Sequence, residues 1–117
     1  MVGSITTDEL KAKIDAGDAP QVVDIRMPGE YQRGHIPGAI NVPFPEFPQR
    51  VDEVDWSEEI VVACPKGESS LQAARMLESY EGVDSEASVL NLEDGYQAWE
   101  YELEEQPAEE ERADSPF

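Results

Sequence analysis

Three short apolar runs, "QVVDI" (21–25), "IVVA" (60–63) and "SVLNL" (88–92), set the limits on how this chain can fold. Each is too short for a buried helix and too continuously apolar for a strand with one wet face. They read as strands covered on both sides, the pattern of a parallel sheet. Helical patterns lie between them. "TTDELKAKIDAG" has Thr6 and Glu9 at capping-box spacing, an apolar stripe of Leu10 and Ile14, and Gly17 at its end. A second helix is predicted from Ser70 to about Tyr80, with Leu71, Ala74, Met76 and Leu77 facing inward. "GYQAWEYEL" reads as a third. "PGEYQRG" has room for one or two helical turns, residues 39–42 are extended, and Pro48 interrupts whatever helix forms in "EFPQRVDEV". Alternating strands and helices imply an α/β fold with a parallel sheet and helices on both faces, and binding sites in such sheets lie beyond the carboxyl ends of the strands.

At 117 residues the chain fits one domain with one core. Its charge is lopsided, with 27 Asp and Glu against 8 Lys and Arg, a net of −19. Phosphate contacts need clusters of Lys and Arg, so a nucleic-acid partner is not expected. The three apolar runs argue against disorder as the reason for the charge. A surface adapted to high salt accounts for it, and a halophilic source is expected, because concentrated salt screens acidic self-repulsion. Eight acids and one Arg fall after residue 99, so residues 104–117 are expected to form an acidic, disordered tail on a domain of residues 1–103. The opening "MVGSITTDEL" has no basic segment followed by an apolar run, and no stretch approaches the roughly 20 apolar residues of a membrane span. One cysteine cannot form an internal disulfide. A cytoplasmic monomer that does not bind a membrane is the expectation.

That one cysteine, Cys64, stands where the second apolar run ends. The loop Pro65, Lys66, Gly67, Glu68 and Ser69 follows, with Ser70 near the start of the next helix. Helix starts expose unpaired N–H groups and carry partial positive charge, and a loop that curls around the sulfur aims further N–H groups at it. A thiolate is stabilised in such a place. Gly67 permits the turn and Lys66 adds a cation, so the arrangement suits an anion-handling nucleophile better than a small buried hydrophobe.

Three segments of the chain, in order, resemble the rhodanese-like sulfurtransferases. "DIRMPGEYQRGHIPGAINVP" (24–43) is similar to the long N-terminal signature of that family, "CPKGES" (64–69) to its six-residue active-site loop, and "LEDGYQAW" (92–99) to its C-terminal motif. The resemblance covers about residues 5–103. It implies a rhodanese-like α/β fold on a central, mainly parallel five-stranded sheet. It further implies that Cys64 takes a sulfane sulfur from a donor such as thiosulfate as a persulfide and passes it to a thiophilic acceptor, by covalent catalysis in two transfers. Loop amides would hold the persulfide, and Lys66 sits where thiosulfate-using members often carry a cation. No cofactor is implied, and a sulfur-carrier or desulfurase protein could serve as partner. Two departures stand out. Asp94 replaces the first of two glycines in the C-terminal motif, and Glu68 puts a negative charge inside the loop, opposing Lys66.

Asp24 and Arg26 lie at the end of the first run, on the same sheet edge as Cys64. The resemblance gives them a supporting role near the site; an ion pair of Arg26 with Glu30 that fixes the turn is the plainer reading. His35, the only histidine, belongs to the turn-rich "GHIPGA" and reads as structural rather than as a general base. One Cys and one His make no recognisable metal set. Trp99 at helical spacing reads as core. Three other functions compete. A phosphatase or arsenate reductase needs an Arg six positions past its cysteine to fork the oxyanion, and Ser70 stands there. A non-catalytic binding module often lacks the cysteine. A persulfide relay that serves one protein partner shares the chemistry and differs only in substrate.

Overall fold

The computed structural model of the chain describes residues 2–105. Five strands form one sheet: β1 (Gly3–Ile5), β2 (Gln21–Asp24), β3 (Ile40–Asn41), β4 (Glu59–Ala63) and β5 (Ser88–Leu92). Their order is β1-β5-β4-β2-β3, and every pairing is parallel. The helices are α1 (Thr7–Asp15), α2 (Pro28–Arg33), the single turn α3 (Phe47–Arg50) and α4 (Ser69–Ser79). The fold is the α/β sheet that the alternating pattern predicts, wholly rather than mainly parallel.

Strand parity divides the core in two. Along β4, Ile60 and Val62 pack with Val23, Phe47 and the α4 residues Ala73, Ala74 and Leu77. Val61 and Ala63 point the other way, to Ile5, Leu10 of α1, Val22, Ile36, Leu92 and Trp99. All four of these β4 residues are fully buried, as expected for a central strand under helices on both faces. The period of two carries one step past the strand and puts Cys64 on the α4 side.

Helix α1 starts as predicted. The Thr6 hydroxyl accepts from the Glu9 N–H at 3.1 Å, and the Glu9 carboxylate accepts from the Thr6 N–H at 2.9 Å. Helix α4 departs from prediction on its inner face. Ser70, Ala73, Ala74 and Leu77 are buried, whereas Leu71 is half-buried and Met76 exposed. Ala74 and Leu77 are inward as predicted, and Ser70 and Ala73 stand in for Leu71 and Met76, since small residues let the helix axis approach the sheet. The predicted third helix is a single 3-10 turn, Tyr96–Ala98. After it Trp99 leaves the helical region at φ −78°, ψ 114° and is buried in the α1-side core, the core role expected of it. Strand β1, three residues with one buried, has too little sequence for a period and was not among the predicted runs. The expected tail lies outside the described residues from residue 106 on; Glu104 pairs with His35 in an antiparallel bridge. Among the described residues no helix is long and apolar enough to cross a membrane.

Candidate active site

Strand β4 delivers Cys64 to the carboxyl edge of the sheet, 2% exposed. The loop then turns back over it, and the sulfur accepts from two backbone amides, Gly67 N at 3.1 Å and Ser70 N at 3.3 Å. Ser70 lies in the first turn of α4, where no carbonyl within the helix is available to its N–H, so the sulfur takes that role. The Ser70 hydroxyl is 3.2 Å from the sulfur. Pro65, Lys66 and Glu68 are exposed, Ser69 is half-buried, and all four border an open cavity of about 230 Å³ that reaches Cys64. Five residues of the predicted loop thus border one opening, with a cation and an anion on its rim, while Gly67 and Ser70 are buried beside the sulfur.

The loop is locked from below by the segment that follows β5. Tyr96 N donates to the Cys64 carbonyl at 2.9 Å and Gln97 N to the Pro65 carbonyl at 3.0 Å. Contact is close enough to exclude side chains. Gly67 has φ +85°, and a Cβ on it would collide with the Glu93 carbonyl; Gly95 has φ +71°, and a Cβ there would collide with the Pro65 carbonyl. Asp94 does not disturb this turn. Its carboxylate accepts from the Thr7 N–H at 3.1 Å and so satisfies an unpaired donor at the start of α1.

Asp24 is fully buried at the end of β2 and pairs with Arg26 rather than leaving it to Glu30. Arg26 Nε and Nη2 reach the Asp24 carboxylate at 3.0 and 2.8 Å, and Nη2 also donates to the Gly34 carbonyl at 2.6 Å. Burial opposes the guanidinium charge, but the bonds and the charge of Asp24 outweigh it and raise the Arg26 pKa. The guanidinium lies 3.6 Å from the centre of the Tyr96 ring. Asp24 and Arg26 therefore brace the residue whose amide holds the Cys64 carbonyl, without touching the sulfur cavity themselves. His35 is buried away from that cavity's lining, stacked on Tyr31 at 3.8 Å with Nδ1 2.8 Å from the Tyr31 carbonyl. Among the described residues no group of three or more His, Cys, Asp or Glu could hold a metal ion.

Sequence reasoning missed Asn91. It lies in β5, opposite Val62, with its side chain on the α4 side. Its amide Nδ2 donates to the Gly67 carbonyl at 3.0 Å, and its Oδ1 accepts from the Ser70 hydroxyl. A lone amide inside the apolar run "SVLNL" was the available signal, since a buried polar group needs partners.

A rhodanese-like domain model matches residues 6–102. The chain belongs to the rhodanese-like family. Within it, a Bacillus subtilis relative, YrkF, whose name places it with sulfur carrier proteins, is 29% identical over 98 residues, 84% of this chain. The chain spans about half of that relative, 51% of its length. A protein of Allochromatium vinosum named sulfurtransferase is 32% identical over 99 residues, 85% of this chain and 89% of its own length. The crystal structure of a rhodanese-like domain protein from Staphylococcus aureus superposes with a TM-score of 0.75 at 32% identity, covering 89% of this chain and 98% of that one. The rhodanese-like fold expected from the three motifs is therefore the fold of this chain.

Proposed function

We propose that this rhodanese-like protein is a sulfurtransferase in which Cys64 carries the sulfur. The observation that supports this most directly is the pair of amides, from Gly67 and Ser70, aimed at a cysteine sulfur that an open cavity reaches. Two fixed donors favour negative charge on sulfur at no cost of reorganisation during the reaction. The Cys64 thiolate attacks the sulfane sulfur of a donor such as thiosulfate. A bond forms between Sγ and that sulfur, the donor's S–S bond breaks, and sulfite departs with the bonding pair. A thiophilic acceptor then attacks the outer sulfur of the persulfide, and Cys64 leaves as the thiolate that began the cycle. Lys66 on the cavity rim attracts an anionic donor, and Asp24 and Arg26 hold the loop's underside through Tyr96.

Glu68 on the same rim favours a second reading, in which the donor or acceptor is a persulfide or sulfur-carrier protein rather than a small dianion. The name of the Bacillus subtilis relative supports the same direction. One measurement addresses both. Intact mass after incubation with thiosulfate should rise by about 32 Da, one sulfur atom, and a cysteine desulfurase with cysteine should give the same increment. Gain of mass only from the desulfurase selects the relay. A Cys64→Ser protein that still gained the mass would remove Cys64 from the role.

A further inference from the structure

The hydroxyl of Ser70 has one proton and two claimants. On one side is Cys64 Sγ at 3.2 Å; on the other is Asn91 Oδ1. The orientation of the Asn91 amide is not free, because its Nδ2 donates to the Gly67 carbonyl at 3.0 Å and a carbonyl oxygen can only accept. Oδ1 therefore faces Ser70, and it too can only accept. Ser70 is fully buried, so water does not substitute for a missing partner of its hydroxyl. The Ser70 proton goes to Asn91, and the serine oxygen turns its lone pairs to the sulfur. That arrangement receives a proton from a thiol and repels a thiolate. It opposes the two amides, which favour the thiolate.

We propose that Asn91 is a positioning residue that points the Ser70 hydroxyl away from Cys64, so that the serine oxygen accepts from the sulfur's proton and offsets part of the bias toward thiolate that the two amides give. This rests on Cys64 being the nucleophile, but not on the identity of the sulfur donor. Nothing in the amino-acid pattern of the loop shows it, since the residue concerned lies 27 positions further on, in another strand. The other charged groups near the sulfur do not decide the hydroxyl's direction. Lys66 and Glu68 are exposed on the rim, Asp24 and Arg26 close on each other, and Asp94 is held at the start of α1.

The chain's single cysteine makes the test direct. Thiolate absorbance near 240 nm is read at neutral pH against a Cys64→Ser blank, with the rate of alkylation by iodoacetamide as a second readout. Ser70→Ala removes the acceptor of the thiol proton and no donor to sulfur, so the thiolate fraction should rise by roughly twofold or more. Were Ser70 a donor to the thiolate, the same substitution would lower it; a fall, or no change, overturns the proposal. Asn91→Leu frees the hydroxyl to turn to sulfur and should also raise the thiolate fraction, with no further rise when it is combined with Ser70→Ala. An equal further rise in the double variant would show that Asn91 acts without Ser70 and would also overturn it. Should Asn91→Leu not fold, Asn91→Ala likewise leaves the Ser70 hydroxyl no acceptor in β5 and should give the same rise; a fall or no change there overturns the proposal. None of these measurements needs a sulfur donor, so failure here is distinct from failure of Cys64 to accept sulfur.

Discussion

Lys66 and Glu68 flank Gly67 and bring opposite charges to one opening. Their effects on an anionic donor should separate in the Michaelis constant. Lys66→Ala should raise KM for thiosulfate by about 3- to 10-fold with kcat changed less than about twofold, because ground-state attraction is what is lost. Glu68→Gln should lower KM by about 2- to 3-fold on the same reasoning. Equal constants for all three proteins would show that neither side chain senses the donor. Tyr96 carries a pH effect. Burial and the charge of Asp24 raise its phenol pKa. The folded state thus binds the phenolic proton more tightly than the unfolded chain does. The associated stability is complete below the ordinary tyrosine value of about 10 and is lost as pH rises beyond it. Tyr96→Phe should be less stable at pH 7 by about 1 kcal/mol, since the Ile36 N–H loses the phenol oxygen 3.1 Å away. Denaturant titrations above pH 10 should show that gap narrowing; a constant gap would mean that Tyr96 does not titrate with unfolding.

At the scale of elements, the join between the cysteine loop and the segment after β5 depends on backbone approach. Gly95→Ala forces a Cβ into the Pro65 carbonyl at a positive φ, so it should cost about 1–3 kcal/mol and, by displacing Pro65, reduce sulfur transfer more than 10-fold. A melting curve and a thiosulfate assay on the same sample check both parts. The Thr6 cap lies away from the sulfur, and Thr6→Ala should cost about 1 kcal/mol while leaving turnover unchanged. These elements differ in how readily the sequence displayed them. The strands β2, β4 and β5 were legible because they are continuous apolar runs, and α1 because its cap is a local pattern. That Cys64 and the loop after it stand at the carboxyl edge of the sheet followed from the strand–loop–helix order. The partner of Arg26 did not, because Asp24 and Glu30 both lie within a few residues of it and only the buried end of β2 decides between them. The segment after Gly95 misled because its aromatic spacing fits a helix, whereas its amides are taken up by the Cys64 and Pro65 carbonyls. Asn91 stayed hidden because its partners come from the loop after β4 and from α4, distant in sequence.

For the molecule as a whole, charge is the dominant property. A net charge of −19 on 117 residues strains the compact state and repels anionic donors alike. The screening length falls from about 10 Å at 0.1 M salt to about 3 Å at 1 M, so melting temperature and turnover on thiosulfate should rise together across that range. A neutral osmolyte at matched osmolality should not reproduce the rise in turnover. If both quantities were flat from 0.1 M to 2 M KCl, the acidic surface would have no link to salt. The interlock beneath the loop has a different consequence, one in time. Gly67 and Ser70 lend the sulfur its amides, but Asn91 holds both of them, and Tyr96 and Gln97 hold the carbonyls of Cys64 and Pro65. A nascent chain that has emerged from the ribosome through Cys64 but not through residue 97 carries the proposed nucleophile without its cradle. Its thiol is then an ordinary one, and the protein acquires its sulfur chemistry only when the last fifth of the domain arrives to close it.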